Sequence, residues 1–598
     1  MNLLEVYRQK EEKYEQLALQ WQRKFNGFSW LRVGVFVGMA AGGWLAYQLS
    51  GVGAALLVVV AGLVVFAAVV RRHAQVAYTR NQFRFLAEIN REEQARFRNE
   101  HHPADAGGDF ASPTHPYSGD LDIFGRSSLY VLLNRTNTLD GRHRLAGWLS
   151  GAASLDEIRG RQRAVAELAP ALDWRQAFQA TGRHLDSDPE NLQRLLAWLG
   201  EPPAVSGRKW LVVLAYLMPV LTLVAIGLAM FTEAVTYHLP VVLLLVNGWL
   251  LRYSFAAVHR AAEGAYQTAR TLRAYAKLIG TLETHPFGAE KMQAVKAQLT
   301  REGVTASEKI DQLAGLLTNL QARNNAIFYL LANPLLLWDL FWLIRLERWK
   351  AGMEGTVRQW FAALGEAEAL NSLAGFAYAN PDYTLPEITT HALQYEARQL
   401  GHPLILAGKR VRNDFATAGL GKTIVVTGSN MSGKSTFLRT LGINAVLALA
   451  GAPVCAMECR ISIFRVFTAM RTQDSLEESV SSFYAELKRL RQLIELLPDD
   501  PPVFYLLDEI LKGTNSHDRH EGAKALIRQL HKHRASGLVS THDLALGQLG
   551  EVSPEYVENY SFNSDLADGK LHFDYKLREG ICRSFNASQL MRQMGIEM

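Results

Sequence analysis

Gly428-Ser429-Asn430-Met431-Ser432-Gly433-Lys434-Ser435 is the stretch that decides the fold of the C-terminal third. It has the spacing G-x-x-x-x-G-K-S. Ahead of it, Lys422-Thr423-Ile424-Val425-Val426-Thr427 reads as a β-branched strand; behind it, Lys434 to Leu449 (KSTFLRTLGINAVLAL) reads as a helix. Strand, glycine-rich turn and helix in that order make a phosphate cradle. The glycines let the backbone wrap an anion, and the helix start presents unpaired N–H groups to it. Gly428, Ser429, Asn430, Met431, Ser432, Gly433, Lys434, Ser435 and Thr436 are therefore expected to hold the phosphates of a nucleotide. Lys434 should reach the β and γ phosphates, and the Ser435 hydroxyl should ligate Mg²⁺.

Working outward, Val503-Phe504-Tyr505-Leu506-Leu507-Asp508-Glu509 is a continuous apolar run ending in two acids. Such a strand is buried on both faces, as at the centre of a parallel sheet. Asp508 then stands at its C-terminal end, where open α/β sheets bind ligands. Asp508 is expected to hold Mg²⁺, mostly through water, and Glu509 to polarise the attacking water. Leu538-Val539-Ser540-Thr541-His542-Asp543 supplies a third short strand, with His542 placed to bond the γ-phosphate or that water. From Val411 onward β-rich runs alternate with helices, giving an α/β P-loop domain over 401–598.

The whole chain has 598 residues, 48% hydrophobic and 20% charged. This is ordinary globular usage and excludes global disorder, a fibre or a low-complexity scaffold. Three cysteines exclude a disulfide framework; Cys455 and Cys459 read as reduced structural thiols. The distribution, however, is uneven. Val33 to Val70, Trp210 to Thr232 and Ala234 to Leu251 contain no Asp, Glu, Lys or Arg.

A membrane span needs about 20 apolar residues to cross about 30 Å of hydrocarbon. The first run fits two spans, at about 31–49 and 52–70, turning at Ser50-Gly51. The other two form a second pair, at about 210–231 and 236–251. Arg23, Lys24, Arg32, Arg71 and Arg72 flank the first pair; Arg208, Lys209, Arg252 and Arg260 flank the second. Both turns lack Lys and Arg. By the excess of positive charge on cytoplasmic flanks, the chain is expected in the inner (cytoplasmic) membrane as a multi-pass protein, its ATPase domain in the cytoplasm. The first run starts too late and runs too long for a cleaved signal peptide. A fifth apolar run, Ala326 to Ile344, carries Asn333-Pro334 and Asp339 and is expected to be a buried soluble helix.

The organisation expected is a cytoplasmic N-terminal helix (1–28), a transmembrane hairpin (29–72), a helix and linker (73–119), a helical core region (120–208), a second hairpin (209–252), a helical lever region (253–400) and the α/β domain. His101 to Gly119, rich in Pro, Gly, Ala and His, is expected to be a solvated loop.

Together these residues resemble the MutS family of ABC-type ATPases. Arg412-Asn413-Asp414 is similar to that family's segment before its first strand, and Thr427 to Thr436 to its TGPNMGGKST. Asp474-Ser475-Leu476-Glu477-Glu478-Ser479-Val480-Ser481-Ser482-Phe483 is similar to DDLxxGxSTF, Asp508 to Asn515 to DEIGRGTS, and Thr541-His542 to ATH. Upstream, Leu132 to Thr138 with Gly141 to Leu145 and Trp148-Leu149 resemble the stretch that opens the family's helical core. The resemblance implies an α/β P-loop ATPase domain preceded by an all-α core, here interrupted by transmembrane hairpins. It implies ATP with Mg²⁺, and a homodimer whose two sites are completed head to tail. Lys434, Ser435, Asp508, Glu509 and His542 would act in cis, with Asn413 lining the nucleotide. Ser479 and Ser482 would cap the partner's γ-phosphate.

The departures are equally specific. The signature glycine is Ser479 here, and the position of the family's adenine-stacking aromatic is Arg410, so base stacking is unassigned. The mismatch-reading domain with its Phe-x-Glu wedge has no counterpart, and no C-terminal nuclease module is expected. From Arg71 to Arg208 there are 18 Arg, no Lys and 17 Asp plus Glu, a net of +1, not the basic face that nucleic acid demands. Two readings follow: a membrane-anchored MutS-like ATPase acting on DNA, or a membrane-tethered ATPase switch acting on a protein or lipid partner. An ABC transporter is the third, set against by four short spans and no Leu-Ser-Gly-Gly-Gln signature.

Overall fold

The computed structural model describes residues 3–101, 103, 105–185, 193, 196–232, 235–262, 265–301, 303–351, 353, 355–429, 431–471, 482–567 and 570–582. The chain opens on the helical element Leu3–Phe97, broken at Gly51 (φ 79°, ψ −170°). That conformation is open to glycine at little cost and closed to most other residues. The two arms, 3–50 and 52–97, run back along each other. A Cβ on Gly43 would stand 3.0 Å from Val59, and the Phe36 and Phe66 rings meet edge to face at 6.4 Å. Lower down, Ser29 and Arg32 reach the His73 ring at 3.3 and 3.2 Å. Near the base Arg91 bonds Glu11 at 2.7 Å and also contacts Glu15.

Each arm is about 70 Å long at 1.5 Å per residue. The distal half is apolar and exposed, Trp30, Leu49, Val52 and Leu57 among others, and none of its most apolar 18-residue window is buried. The proximal half is charged and packs Leu86 and Ile89 against Ala180 of the core. One continuous hairpin is thus both a polar stalk and an apolar tip.

The second hairpin pairs Lys209–Phe231 with His238–Ala262. Asn247 Nδ2 donates to Thr222 Oγ1 at 3.1 Å and to the Pro334 carbonyl at 2.8 Å, so a third element docks on the pair. That element is the fifth apolar run, and it differs from the single buried helix expected. Phe328–Leu336 and Trp338–Ala351 are bent by 72°, and Leu330 and Leu331 are exposed. The proline ring at 334 cannot donate within the helix and crowds the preceding turn, and Leu337 takes the left-handed φ of 49°. Among the described residues three helices are long and apolar enough to cross a membrane, four if the bent pair is one span.

The helical core surrounds Thr356–Ala379, which is buried along most of its length. Small residues allow close approach: a Cβ on Gly365 would meet the Asp140 backbone at 2.7 Å, and one on Gly375 the Arg135 side chain at 2.5 Å. Glu368, fully buried, accepts the Asn137 and Thr138 N–H groups at 2.9 and 3.1 Å. It thereby fixes the loop leading into the helix Leu139–Leu149, whose N-cap is Thr138.

The segment expected to be a solvated loop is largely exposed over 108–114, but its end at 115–120 is a strap between core and α/β domain. Tyr117 is buried and bonds the Leu149 carbonyl at 3.0 Å. Thr468 N–H donates to the Pro116 carbonyl at 2.9 Å, and Arg489 to the carbonyls of His115 and Pro116 at 3.0 and 2.6 Å. Asp120 accepts the Met470 and Arg471 N–H groups, each at 3.1 Å.

The α/β domain holds a six-stranded sheet in the order Lys570–Glu579, Val557–Ala567, Thr423–Gly428, Ser536–Thr541, Val503–Asp508, Arg465–Ala469. All neighbours are parallel except the first pair. A second sheet of four strands (Glu387–Thr389, Glu458–Ser462, Gln394–Leu400, Asn413–Ala418) packs alongside through Tyr395, whose ring meets Phe504 at 5.7 Å. Register places the site: Thr541 pairs with Thr427 and Ser540 with Asp508. Three strands therefore end level, and Gly428, Asp508 and His542 converge at their C-terminal edge.

Candidate functional site

A cleft of about 500 Å³ opens at that edge, lined by Met431 to Phe437, Glu509, Asn413 and Tyr575 among others. The loop that floors it takes its shape from two glycines. Gly428 (φ 157°) lies where a Cβ would meet the Phe562 carbonyl at 2.7 Å. Gly433 (φ 101°) caps the helix Lys434–Ala450 in a left-handed turn, leaving the first helical N–H groups facing the cleft. Met431 is exposed at φ 66°. Lys434 Nζ donates to the carbonyls of Gly428 and Ser429, both at 2.9 Å. Burial lowers its pKa below the lysine value, against the pull of Glu509 and Asp508. Ser429 Oγ and Ser432 Oγ are buried with no hydrogen-bond partner among the described residues. Two orphaned hydroxyls, a buried ammonium and a free helix start are the donors that a triphosphate requires, so the residues present fit that group. Ser435 and Thr436 line the same cleft. Asn430 and Ser479 lie outside the described residues; Ser482 begins the helix Ser482–Leu496.

The acids sit opposite. Asp508 Oδ1 accepts the Ser540 hydroxyl, which orients it from the neighbouring strand. A divalent cation would be held between Asp508 and Ser435, the hard-oxygen set that Mg²⁺ prefers. Glu509 has φ 49°. Its Oε1 meets His542 Nε2 at 2.5 Å and its Oε2 meets Lys512 Nζ at 2.7 Å. His542 Nδ1 in turn lies 2.8 Å from the Gly428 carbonyl. The ring thus lies between the acid and the phosphate loop. The His542 hydrogen bond, joined by Lys512, holds the Glu509 carboxyl down at about 2 despite its burial.

Asn413 lies at the cleft wall, but its amide is used within the protein. Nδ2 donates to the Tyr575 carbonyl at 3.0 Å and Oδ1 accepts the Leu577 N–H at 2.9 Å. It so fixes Tyr575, whose ring stands over the glycine turn, 3.0 Å from where a Cβ on Gly433 would be. Sequence reasoning missed Tyr575. It lies far downstream in a strand with no motif, and only the pairing of that hairpin to the central sheet brings it here. Arg410, at the position where an aromatic was sought, turns away. It donates to the Ile405 carbonyl at 3.0 and 2.7 Å and stacks over Tyr383 with 5.5 Å to the ring centre.

Residues 424–594 match the family described as MutS domain V. The DNA mismatch repair protein MutS of Chloroflexus aurantiacus is 31% identical over 232 residues, covering 38% of this chain and 24% of that protein. DNA mismatch repair protein MutS 2 of Halobacterium salinarum is 30% identical over 239 residues, 39% of this chain and 27% of its own. Endonuclease MutS2 of Latilactobacillus sakei is 32% identical over 235 residues, 39% and 29% respectively. The chain thus spans about a quarter of the length of these curated relatives. Their likeness covers the C-terminal α/β part, while the region ahead of it is mostly helical.

Proposed function

We propose that this protein is a membrane-anchored ATPase of MutS type that hydrolyses ATP with Mg²⁺ on the cytoplasmic side of the inner membrane. The observation that carries the chemistry is Glu509. Its carboxylate shares one cleft with Lys434 and Ser435 and is held ionised at the loop's edge by His542. Lys434 and the helix N–H groups bind and orient the phosphates. Mg²⁺, when bound at Ser435 and Asp508, supplies charge neutralisation of the phosphate oxygens. Glu509 orients water in line with the γ-phosphate, and His542 keeps Glu509 at that edge.

Anchoring is supported by the charge-free apolar runs of the two hairpins and their basic flanks. A homodimer paired through the ATPase domains is supported by the segment at 474–483, which is similar in sequence to the family's signature. DNA as the target is supported by the relatives' printed names. The near-neutral charge of 71–208 favours a protein or lipid partner instead.

The test is hydrolysis by the detergent-solubilised full chain. Turnover that needs Mg²⁺ and disappears in Glu509→Gln, with ATP still bound, supports the reading; wild-type turnover in that variant overturns it. Salt-sensitive DNA binding at low ionic strength, or its absence, separates the two partner readings.

A further inference from the structure

Glu486 lies on the helix Ser482–Leu496, and nothing in the phosphate-loop chemistry uses it. Its carboxylate accepts the Leu511 N–H, and the Lys512 N–H as well. Those two amides belong to the turn that leaves the strand Val503–Asp508. The turn is an unusual one: Glu509 and Leu511 both have left-handed φ, 49° and 59°, with no glycine between them. Non-glycine residues hold such angles only where the surroundings over-determine them. Here the surroundings are the same helix twice over. Besides Glu486, Phe483 lies so close that a Cβ on Gly513 would stand 2.5 Å from the Phe483 Cβ. The turn carries Lys512, whose ammonium meets Glu509 Oε2 at 2.7 Å.

We infer that Glu486 is a positioning residue: by holding the 510–513 turn it places Lys512, and through Lys512 the Glu509 carboxylate, against the phosphate loop. This rests on the reading of Glu509 given above. Around Glu509 the titratable groups are His542 and Lys512, which contact it, with Lys434 and Asp508 close by. His542 is fixed independently by the Gly428 carbonyl. Lys512 is therefore the contact that a loosened turn removes, and the carboxylate is left held at one oxygen instead of two. A displacement of about 1 Å at a reacting group costs on the order of a hundredfold in rate, while the phosphate-binding donors are untouched.

The experiment measures steady-state ATP hydrolysis by the solubilised full chain, with equilibrium binding of a fluorescent ATP analogue and thermal melting. Glu486→Ala is expected to lower kcat by about 10- to 100-fold with analogue affinity within about twofold of wild type. Glu486→Gln, which keeps an acceptor oxygen for both amides, should recover most of the loss. Lys512→Met should lower kcat in the same way, with analogue affinity within about twofold of wild type. Wild-type kcat in Glu486→Ala, or equal loss of affinity and rate in the Ala and Gln variants, would each overturn the inference. Glu509→Gln is run alongside: turnover there sinks the underlying ATPase assignment, whereas its loss beside an unaffected Glu486→Ala sinks the positioning role alone.

Discussion

Glu93 of the stalk and Arg135 of the core form a two-point ion pair, Nε to Oε1 at 2.8 Å and Nη2 to Oε2 at 2.7 Å, with each side chain at most 5% exposed. Arg96 joins at 2.9 Å. Burial alone would raise the Glu93 carboxyl; Arg135 and Arg96 outweigh it and bring it down to about 2. The pair is a buried polar tie between the apolar-tipped hairpin and the body of the protein. Its folded pKa lies below the ordinary 4.5, so its stabilisation is complete above that value and is lost as pH falls towards 2.

Glu93→Gln leaves two buried guanidinium groups without their anion and should cost about 3–5 kcal/mol. Thermal unfolding of the solubilised protein checks this. The variant should also lose the wild type's decline in stability between about pH 4.5 and 2. An unchanged acid transition would show that other carboxylates govern it.

Lys434→Ala and Glu509→Gln should separate binding from turnover. Loss of the buried ammonium removes the main phosphate contact, so the first variant should bind ATP at least 100-fold more weakly, on the order of 3 kcal/mol for a charged hydrogen bond. The second keeps the loop and should bind ATP as well as wild type while turnover falls by 10²–10⁴-fold. Equal loss of binding in both would contradict the roles given to them.

Tyr575→Ala should raise the Kd for ATP by about 5- to 150-fold, the range of about 1–3 kcal/mol for stacking a base on an aromatic ring. Tyr575→Phe should bind like wild type. Inorganic triphosphate, which has no base, should bind equally to all three forms. A uniform effect on triphosphate and ATP would instead assign Tyr575 to the shape of the glycine turn.

Accessibility tests the membrane reading. Cys455, Cys459 and Cys582 are all buried, so a new surface thiol stands on a low background. Ser50→Cys, at the apolar tip, should label with an impermeant maleimide added outside spheroplasts. Glu12→Cys, on the exposed face of the stalk, should label only after lysis. Labelling of position 12 in intact spheroplasts would reverse the orientation.

The phosphate loop, the two acidic positions and the uncharged hairpins were legible in the chain because each is written locally. A G-x-x-x-x-G-K-S turn between a β-branched strand and a helix, or 38 residues without a charge, declares its chemistry from composition and spacing alone. The strap at 115–120 was missed for the complementary reason. Its Pro, Gly and His composition describes a segment that makes no regular structure, and nothing local reveals that Arg489 and Thr468, some 350 positions away, take up its carbonyls. The break in the fifth apolar run was half legible. Pro334 marks where a helix must bend, but its docking against Asn247 is a tertiary fact.

So the sequence by itself determined which elements form and where the glycine-rich turn lies between them, since periodicity, β-branching and glycine placement act between neighbours. The tertiary structure alone decided that Tyr575 lines the cleft at that turn and that Glu486 and Lys512 stand behind Glu509. Strand register and helix docking bring them there, and those are settled by burying one shared core rather than by any short stretch of chain.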